Sequence, residues 1–234
     1  MNTSSAPHHT PSPEGYRIPD IKVCGLTREE DIRACLDLGV KYIGINRYAP
    51  SPRCVPDHRV KSLLKLVPRG RRVYVDVAPG LPELTTGDLH EFDIFQIHFD
   101  PVATPESRVA LWADCVGSDR LWLAPKLKPG VTFPTHLLKY AKGFLLDGYS
   151  IDAYGGTGKT GDWHGLAALK SVHPENTWIV AGGLNPDNVV EALRTSHADI
   201  LDLNSGVEES PGLKDHERIA RAIDNIRQKA TGAR

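Results

Sequence analysis

Short apolar runs alternate along the chain with stretches in which apolar residues recur three or four positions apart. The short runs are typical of buried strands, and the wider spacing is typical of amphipathic helices. From residue 21 onward the alternation continues without a linker or a shift in composition. The runs predicted as strands cover residues 21–25, 42–46, 72–77, 92–98, 121–127, 143–148, 178–183 and 199–205.

Helix-start signals follow several of these strands. Thr27 and Glu30 have the spacing of a capping box ahead of an apolar stripe. Asn185 is predicted to cap a later helix, with Pro186 in its first helical position. A last helix is predicted over residues 214–228, where apolar residues recur on one face.

This βα alternation predicts a single (β/α)8 TIM barrel, an α/β fold in which helices surround parallel strands. The barrel is predicted to occupy residues 21–230 as one catalytic domain. Residues 1–20 are rich in serine, proline and histidine and lack the apolar core of a secretory signal, so we expect a flexible, disordered tail. A doubly wound open sheet is the structural alternative, but it commonly uses about five or six strands.

The charge balance gives no electrostatic reason to expect a nucleic acid or an anionic membrane as a partner. The chain has 28 basic and 29 acidic residues, and its formal net charge is -1. No run approaches the roughly 18 to 20 apolar residues that a membrane-spanning helix needs. The four cysteines lack CxxC spacing, which indicates free thiols and a cytoplasmic location. Without a compact cluster of His or Cys, we expect neither a metal nor another cofactor.

The stretch AYGGTGKTGDW, residues 153–163, has three interpretations. Its Gly-Lys-Thr sequence fits a loosened P-loop for nucleotides, but other residues separate it from the preceding strand, and glycine follows where a helix should begin. The glycines could instead form a plain tight turn. The third interpretation is a phosphate cradle, because glycines also occur in the turns after strands seven and eight, where barrels often bind phosphate. Three such loops favour a small phosphorylated molecule as the ligand.

Polar side chains at the C-terminal ends of barrel strands face the active site. Cys24 lies at the end of strand one and Asp147 at the end of strand six, while Arg53 follows strand two and Asp202 lies in strand eight. A lone cysteine in an apolar strand is commonly a core residue, whereas a carboxylate directly after Phe-Leu-Leu is costly to bury without a purpose. A thiolate base and a carboxylic acid across a barrel mouth could move protons on a small substrate.

Several segments together closely resemble the signature segments of the phosphoribosylanthranilate isomerase family, (β/α)8 enzymes of tryptophan biosynthesis. They occur in the family's order and are IKVCGLTREEDIRACLDLG, SPRCV, FLLDGYSIDAYGGTGKTGDW, VAGGLNPDNV and LDLNSGVEESPGLKD. The resemblance implies an Amadori rearrangement of the aldosylamine N-(5-phosphoribosyl)anthranilate to carboxyphenylamino-deoxyribulose phosphate, an aminoketose. The alternative is a barrel that binds phosphate but has lost or changed the isomerase activity.

The resemblance also implies roles for individual residues. Asp147 would be the general acid that protonates the ribose ring oxygen, and Cys24 would be the general base that removes the C2 proton. Arg53 would pair with the anthranilate carboxylate, and Asp202 would lie near the substrate. The phosphate would be held by backbone amides supplied or bordered by Gly156, Gly158, Gly183, Ser205 and Gly206. The protein is expected to be a monomer or a homodimer.

The proposed roles place opposite demands on ionisation. We expect partial burial to raise the pKa of Asp147 and nearby positive potential to lower the pKa of Cys24. Four positions depart from the family pattern and are expected to border the anthranilate pocket: Asn46, Arg47, Phe99 and Gly161. Arg47 has two open interpretations, a second contact to the substrate carboxylate or an outward-facing charge.

Overall fold

The computed structural model describes residues 18–85, 88–128, 130–147 and 162–230, which form a closed barrel surrounded by helices. The eight barrel strands stand in chain order and pair in parallel, and β1 pairs with β8. The prediction of a (β/α)8 barrel is confirmed, and closure between the first and last strands excludes the open sheet. The strands are β1 (Asp20–Val23), β2 (Tyr42–Asn46), β3 (Arg72–Val77), β4 (Ile94–Phe99), β5 (Leu121–Pro125), β6 (Gly143–Leu146), β7 (Thr177–Val180) and β8 (Ile200–Leu203).

Helices fill most of the connections between these strands. A 3-10 helix at Thr135–Tyr140 takes the place of an α-helix between β5 and β6, and an unpredicted antiparallel hairpin, β9 (Glu208–Ser210) and β10 (Leu213–Lys214), follows β8. Within the described ranges, no helix is both long and apolar enough to cross a membrane. The α-helices are α1 (Glu29–Asp37), α2 (Asp57–Leu64), α3 (Leu81–Thr85), α4 (Glu106–Val116), α5 (Trp163–Val172), α6 (Val189–Ser196) and α7 (His216–Ala230).

The barrel begins slightly earlier than the sequence pattern predicts. Asp20 already belongs to β1, where it pairs with Ile200, and its carboxylate accepts a hydrogen bond from Lys41 Nζ at 2.6 Å. The predicted tail boundary at residue 20 is therefore too late. Residues 1–17, on which most of the tail prediction falls, lie outside the described residues.

The predicted capping box at the start of α1 is wrong. Arg28 is the N-cap residue of α1 and makes no capping hydrogen bond through its side chain. Thr27 Oγ1 instead donates to the carbonyl of Gly212 in the β9–β10 hairpin at 2.8 Å, and Glu30 pairs with Arg28. The Thr27 hydroxyl thus bonds to a residue distant in the sequence and does not cap the helix as its local spacing had predicted.

The start of α6 also differs from the prediction. Asn185 Oδ1 accepts from the backbone of Asp187 at 2.8 Å, so it stabilises a turn that precedes the helix. The helix itself begins at Val189, with Asn188 as its N-cap residue. Pro186 consequently lies in this turn.

The core has two layers, which follow from the alternation of side chains along each strand. The outer and larger layer lies between the strands and the helices. The inner layer fills the barrel itself and includes Val73, Trp122, Leu145 and Ile179. Trp122 meets Tyr42 edge to face there, with ring centroids 5.1 Å apart. The polar residues of the barrel mouth lie at one end of this inner layer.

Candidate active site

A cavity opens where the C-terminal ends of the strands converge. The loops after β7 and β8 form one wall, and the ends of β1, β2 and β6 contribute to the rest. The residues that line it include Cys24, Asn46, Asp147, Gly183, Asp202 and Ser205. Five of the predicted site residues within the described ranges therefore face one space, together with Asn46.

Cys24 and Asp147 approach this cavity from separate strands. Cys24 directly follows β1 and Asp147 directly follows β6, and β7 and β8 stand between those two strands in the barrel. Cys24 is a free thiol with 5% of its surface exposed. This arrangement offers a proton acceptor and a proton donor from different sides of the cavity.

The expected downward shift in the pKa of Cys24 is wrong. Burial raises the pKa of the thiol, and it outweighs the opposing effect of the Lys22 ammonium. The Lys22 ammonium thus stabilises the thiolate, but desolvation of the thiolate has the larger effect on the pKa.

Lys22 is a buried cation beside the cavity that the sequence patterns did not indicate. Its side chain is fully buried, and Nζ donates to Asp202 Oδ2 at 2.7 Å. Burial lowers the pKa of Lys22, but the Asp202 carboxylate and Cys24 more than offset this, so the net shift is upward. Its position two residues before Cys24 was the available signal, because residues i and i+2 of a strand share a face.

Asp202 lies in β8 and is nearly as buried as its partner, with 6% of its surface exposed. Burial raises the pKa of its carboxyl, and the adjacent Lys22 opposes that rise. Lys22 and Asp202 are also direct neighbours in the strand register that closes the barrel. Asp202 therefore both borders the cavity and holds the buried ammonium in place.

Arg53 has a strong partner within the protein. Its Nε lies 3.0 and 3.1 Å from the two carboxylate oxygens of Glu208, and its Nη2 donates to Oε2 at 2.6 Å. Glu208 also accepts from Lys214 Nζ at 2.7 Å. Burial raises the pKa of Glu208, but the hydrogen bond from Arg53 and the charge of Lys214 give a net lowering. Within the described part of the chain, Arg53 is not among the cavity-lining residues.

The loops after β7 and β8 carry three of the predicted phosphate-binding residues. Gly183 lines the cavity with a φ of 62°, a left-handed conformation that favours glycine, and Ser205 lines the same cavity. A Cβ on Gly206 would stand 2.1 Å from the carbonyl oxygen of Leu184, so this glycine lets the two loops touch. Gly156, Gly158 and the P-loop-like stretch lie outside the described residues.

His98 and Gln96 complete the polar lining from β4. Burial and the charge of Lys22 lower the pKa of His98 to about 3, so the ring is neutral near pH 7. Gln96 Nε2 lies 2.8 Å from His98 Nε2, a geometry in which the amide donates to an unprotonated ring nitrogen. Neither residue was predicted to belong to the site.

Of the four departures from the family pattern, only Asn46 lines the cavity in the described structure. Phe99 points away from the barrel axis and packs edge to face on Trp112 of α4, with centroids 5.5 Å apart, so the expectation that it borders the pocket is wrong. Strand alternation turns His98 inward and its neighbour outward. Arg47 binds the carboxylate of Asp57 and the carbonyl of Val55, which favours the outward-facing interpretation. Gly161 lies outside the described residues.

The fold and the site define a (β/α)8 barrel enzyme with its reactive side chains at the C-terminal ends of the strands. A family model described as N-(5'phosphoribosyl)anthranilate (PRA) isomerase matches residues 21–225. The chain belongs to this family.

Individual relatives agree with the family match. The chain is 32% identical over 215 residues to the N-(5'-phosphoribosyl)anthranilate isomerase of Acinetobacter calcoaceticus, covering 88% of this chain and 95% of the relative. It is 34% identical over 214 residues to the enzyme of the same name from Dechloromonas aromatica, covering 89% and 96%. The crystal structure of phosphoribosyl anthranilate isomerase from Thermus thermophilus superimposes with a TM-score of 0.74 at 26% identity, covering 90% and 99%.

Proposed function

We propose that this chain converts N-(5'-phosphoribosyl)anthranilate into its aminoketose isomer, a step of tryptophan biosynthesis, with Cys24 and Asp147 as the proton-transfer pair. The family match supplies the reaction. The observation that carries the residue assignment is that this thiol and this carboxyl line the same cavity as Gly183 and Ser205.

The reaction needs an acid first and a base second. Asp147 gives its proton to the ribose ring oxygen as the C1–O bond breaks, and the nitrogen lone pair forms the C1=N bond of an iminium. Cys24, as thiolate, then removes the proton from C2, and the electrons of the C2–H bond neutralise the iminium to give an enaminol. Tautomerisation moves the C2 hydroxyl proton to C1 and yields the ketone. Both groups act as general acid and base and neither bonds covalently to the substrate.

The phosphate of the substrate fits the wall made by the loops after β7 and β8. Backbone amides near Gly183 and Ser205 can approach an anion closely, and this is the position at which barrels often bind phosphate. The formal net charge of -1 suits a site that relies on amides rather than on clustered cations. The ligand class is accordingly a small phosphate monoester.

The carboxylate of the anthranilate ring is assigned to Arg53. Glu208 occupies the guanidinium edge formed by Nε and Nη2, so the substrate carboxylate would meet the edge that includes Nη1. In this arrangement Glu208 fixes the orientation of the guanidinium. The buried Lys214 in turn fixes Glu208.

The setting of the reaction follows from the thiols and from the size of the barrel. All four cysteines are free, which suits the reducing conditions of the cytoplasm. We propose a cytoplasmic enzyme that acts as a monomer or a homodimer, with one complete site in each barrel.

The experiment is a fluorescence assay that follows the disappearance of phosphoribosylanthranilate on addition of the purified chain. Rapid first-order loss, with the aminoketose identified by mass spectrometry, is the expected result. A barrel that only binds phosphate would be stabilised thermally by a phosphorylated product analogue and yet leave the substrate signal unchanged. That second result would refute the isomerase assignment.

A further inference from the structure

We propose that Lys22 is a positioning residue for this reaction: its ammonium, fixed by Asp202, shares with the Cys24 thiol a space that Gly44 leaves open, and there supplies the counter-charge of the thiolate. The inference rests on the proposed role of Cys24 as the base. It adds two residues, Lys22 and Gly44, to the machinery of the site.

The geometry of β1 and β2 brings the ammonium and the sulfur together. Lys22 and Cys24 are two positions apart and turn to the same side of the chain, toward the barrel interior. A Cβ built on Gly44 would stand 3.1 Å from Cys24 Sγ and 3.2 Å from Lys22 Nζ. The two atoms therefore lie within about 3.2 Å of a single point, and the missing side chain of Gly44 provides the room they share.

The third member of the cluster is Asp202. Its Oδ2 accepts from Lys22 Nζ at 2.7 Å, which directs the ammonium and satisfies one of its three donors. With a neutral thiol, the ion pair balances its own charge. When the thiol ionises, the same ammonium faces two anions, and attraction across a short distance in a water-poor interior is strong.

Other ionisable groups lie near Cys24 and also influence its charge state. Among the described residues, the charged and titratable groups around Cys24 on neighbouring elements are Lys22 on β1, Asp202 on β8, Lys214 on β10, Asp76 on β3, His98 on β4 and Asp147 after β6. The neutral His98 adds no charge near pH 7. Lys22 exerts the largest stabilising effect of any cation on the thiolate.

A purely structural role explains this arrangement poorly. Burying a lysine with no exposed side-chain surface carries a large desolvation cost. An apolar side chain of the same length would fill the interior of the barrel without that cost. Such a lysine suits a site that must hold negative charge during turnover. The charge therefore matters more than the volume.

The experiment measures the ionisation of Cys24 in the full-length chain. The rate of iodoacetamide alkylation at Cys24, read by mass spectrometry, is followed against pH for wild type and for Lys22→Met. In Lys22→Met we expect the pH midpoint of alkylation to rise by at least about one unit. The midpoint of the acidic limb of the kcat–pH profile should shift to higher pH by a similar amount. At pH 7 kcat would fall about tenfold or more, and raising the pH would recover most of the loss.

The matched control is Lys41→Met. Lys41 also pairs with an aspartate, Asp20, at 2.6 Å, but this pair lies at the opposite end of β1. The control should leave both midpoints unchanged. If Lys22→Met behaves like the control while remaining folded, the proposal is overturned.

A second variant decides the question if Lys22→Met does not fold. Gly44→Ala keeps both charges but places a methyl group 3.0 Å from Cys24 Cα, 3.1 Å from Cys24 Sγ and 3.2 Å from Lys22 Nζ. By displacing the sulfur and the ammonium, it should raise the same two midpoints. Unchanged midpoints in folded Gly44→Ala would overturn the proposal. Full activity in Cys24→Ala would instead overturn the proposed role of Cys24, so the two failures are distinguishable.

Discussion

Lys22 Nζ lies 2.7 Å from Asp202 Oδ2, and the two side chains are 0% and 5% exposed. The pair joins β1 to β8 at the seam where the barrel closes, and its Asp202 lines the same cavity as Cys24 and Asp147. One interaction thus serves both the closure of the fold and the charge of the site.

Removing one member of this pair should be far more costly than removing both. Asp202→Asn leaves a buried ammonium without its counter-charge, and we expect a loss of about 3 to 5 kcal/mol in the free energy of unfolding. The double variant Lys22→Met/Asp202→Leu replaces the pair with apolar groups and should recover most of that loss. Urea unfolding of the three proteins measures both values. A double variant as unstable as the single one would contradict this account.

The two proton-transfer residues should each be needed for turnover. Cys24→Ala and Asp147→Ala are each expected to lower kcat by about a hundredfold or more while changing KM little, because they remove a group that acts on the reacting atoms. Steady-state kinetics in the fluorescence assay gives both constants. Cys115→Ala, at an exposed free cysteine, is the control and should match wild type. Near-normal kcat in either site variant would remove that residue from the mechanism.

Gly206 should be required for phosphate binding by the loops after β7 and β8. In Gly206→Ala the new methyl group would collide with the Leu184 carbonyl oxygen, 2.1 Å away, and force the β7 and β8 loops apart. We expect KM to rise about tenfold or more. Gly70→Ala is the control, because Gly70 has a φ of 83° with nothing within 4 Å of its Cβ position. It should cost about 1 to 2 kcal/mol of stability, because an L side chain is strained at this φ, and leave KM unchanged; equal KM values for the two variants would argue against the loop contact.

Glu208 should matter for substrate binding through Arg53. Glu208→Gln weakens the two-point grip on the guanidinium, so we expect KM to rise about tenfold with a smaller change in kcat. The exposed neighbour supplies the control, Glu209→Gln, which should resemble wild type. A decrease in kcat alone would contradict a binding role and point to the chemical step instead.

Stability should fall at alkaline pH in part because of Cys35. This thiol is fully buried in α1, and burial raises its pKa from 9.0 to about 12. A group whose pKa rises on folding stabilises the fold below its unfolded pKa, and this contribution is lost as the pH rises from about 9 to about 12. Between pH 8 and 10.5 we expect wild type to lose about 2 kcal/mol more than Cys35→Ala. Urea midpoints at the two pH values measure this difference, with Cys115→Ala as the control, and parallel losses in wild type and Cys35→Ala would disprove it.

Some polar residues of the site could be predicted from the sequence and others could not. Cys24, Asp147, Gly183 and Ser205 were predicted from their places after strands and from the family resemblance, and the barrel brings them to one cavity. Phe99 was misplaced, because the choice between the barrel side and the helix side depends on the register of β4. Lys22 was missed because a lysine in a short strand looks like a solvated charge until its partner is known.

The sequence by itself determined the βα alternation, the strand count and the chain order of the reactive residues, because these follow from local spacing and from the ends of strands. Tertiary structure alone decided which charges meet. Lys22 and Asp202 are 180 residues apart, and Thr27 and Gly212 are 185 residues apart. Only closure of the barrel and docking of the β9–β10 hairpin bring each pair within hydrogen-bond distance. Burial in the folded barrel and the nearby charges of Lys22 and Asp202 shift the pKa of Cys24, and no local pattern carries that information.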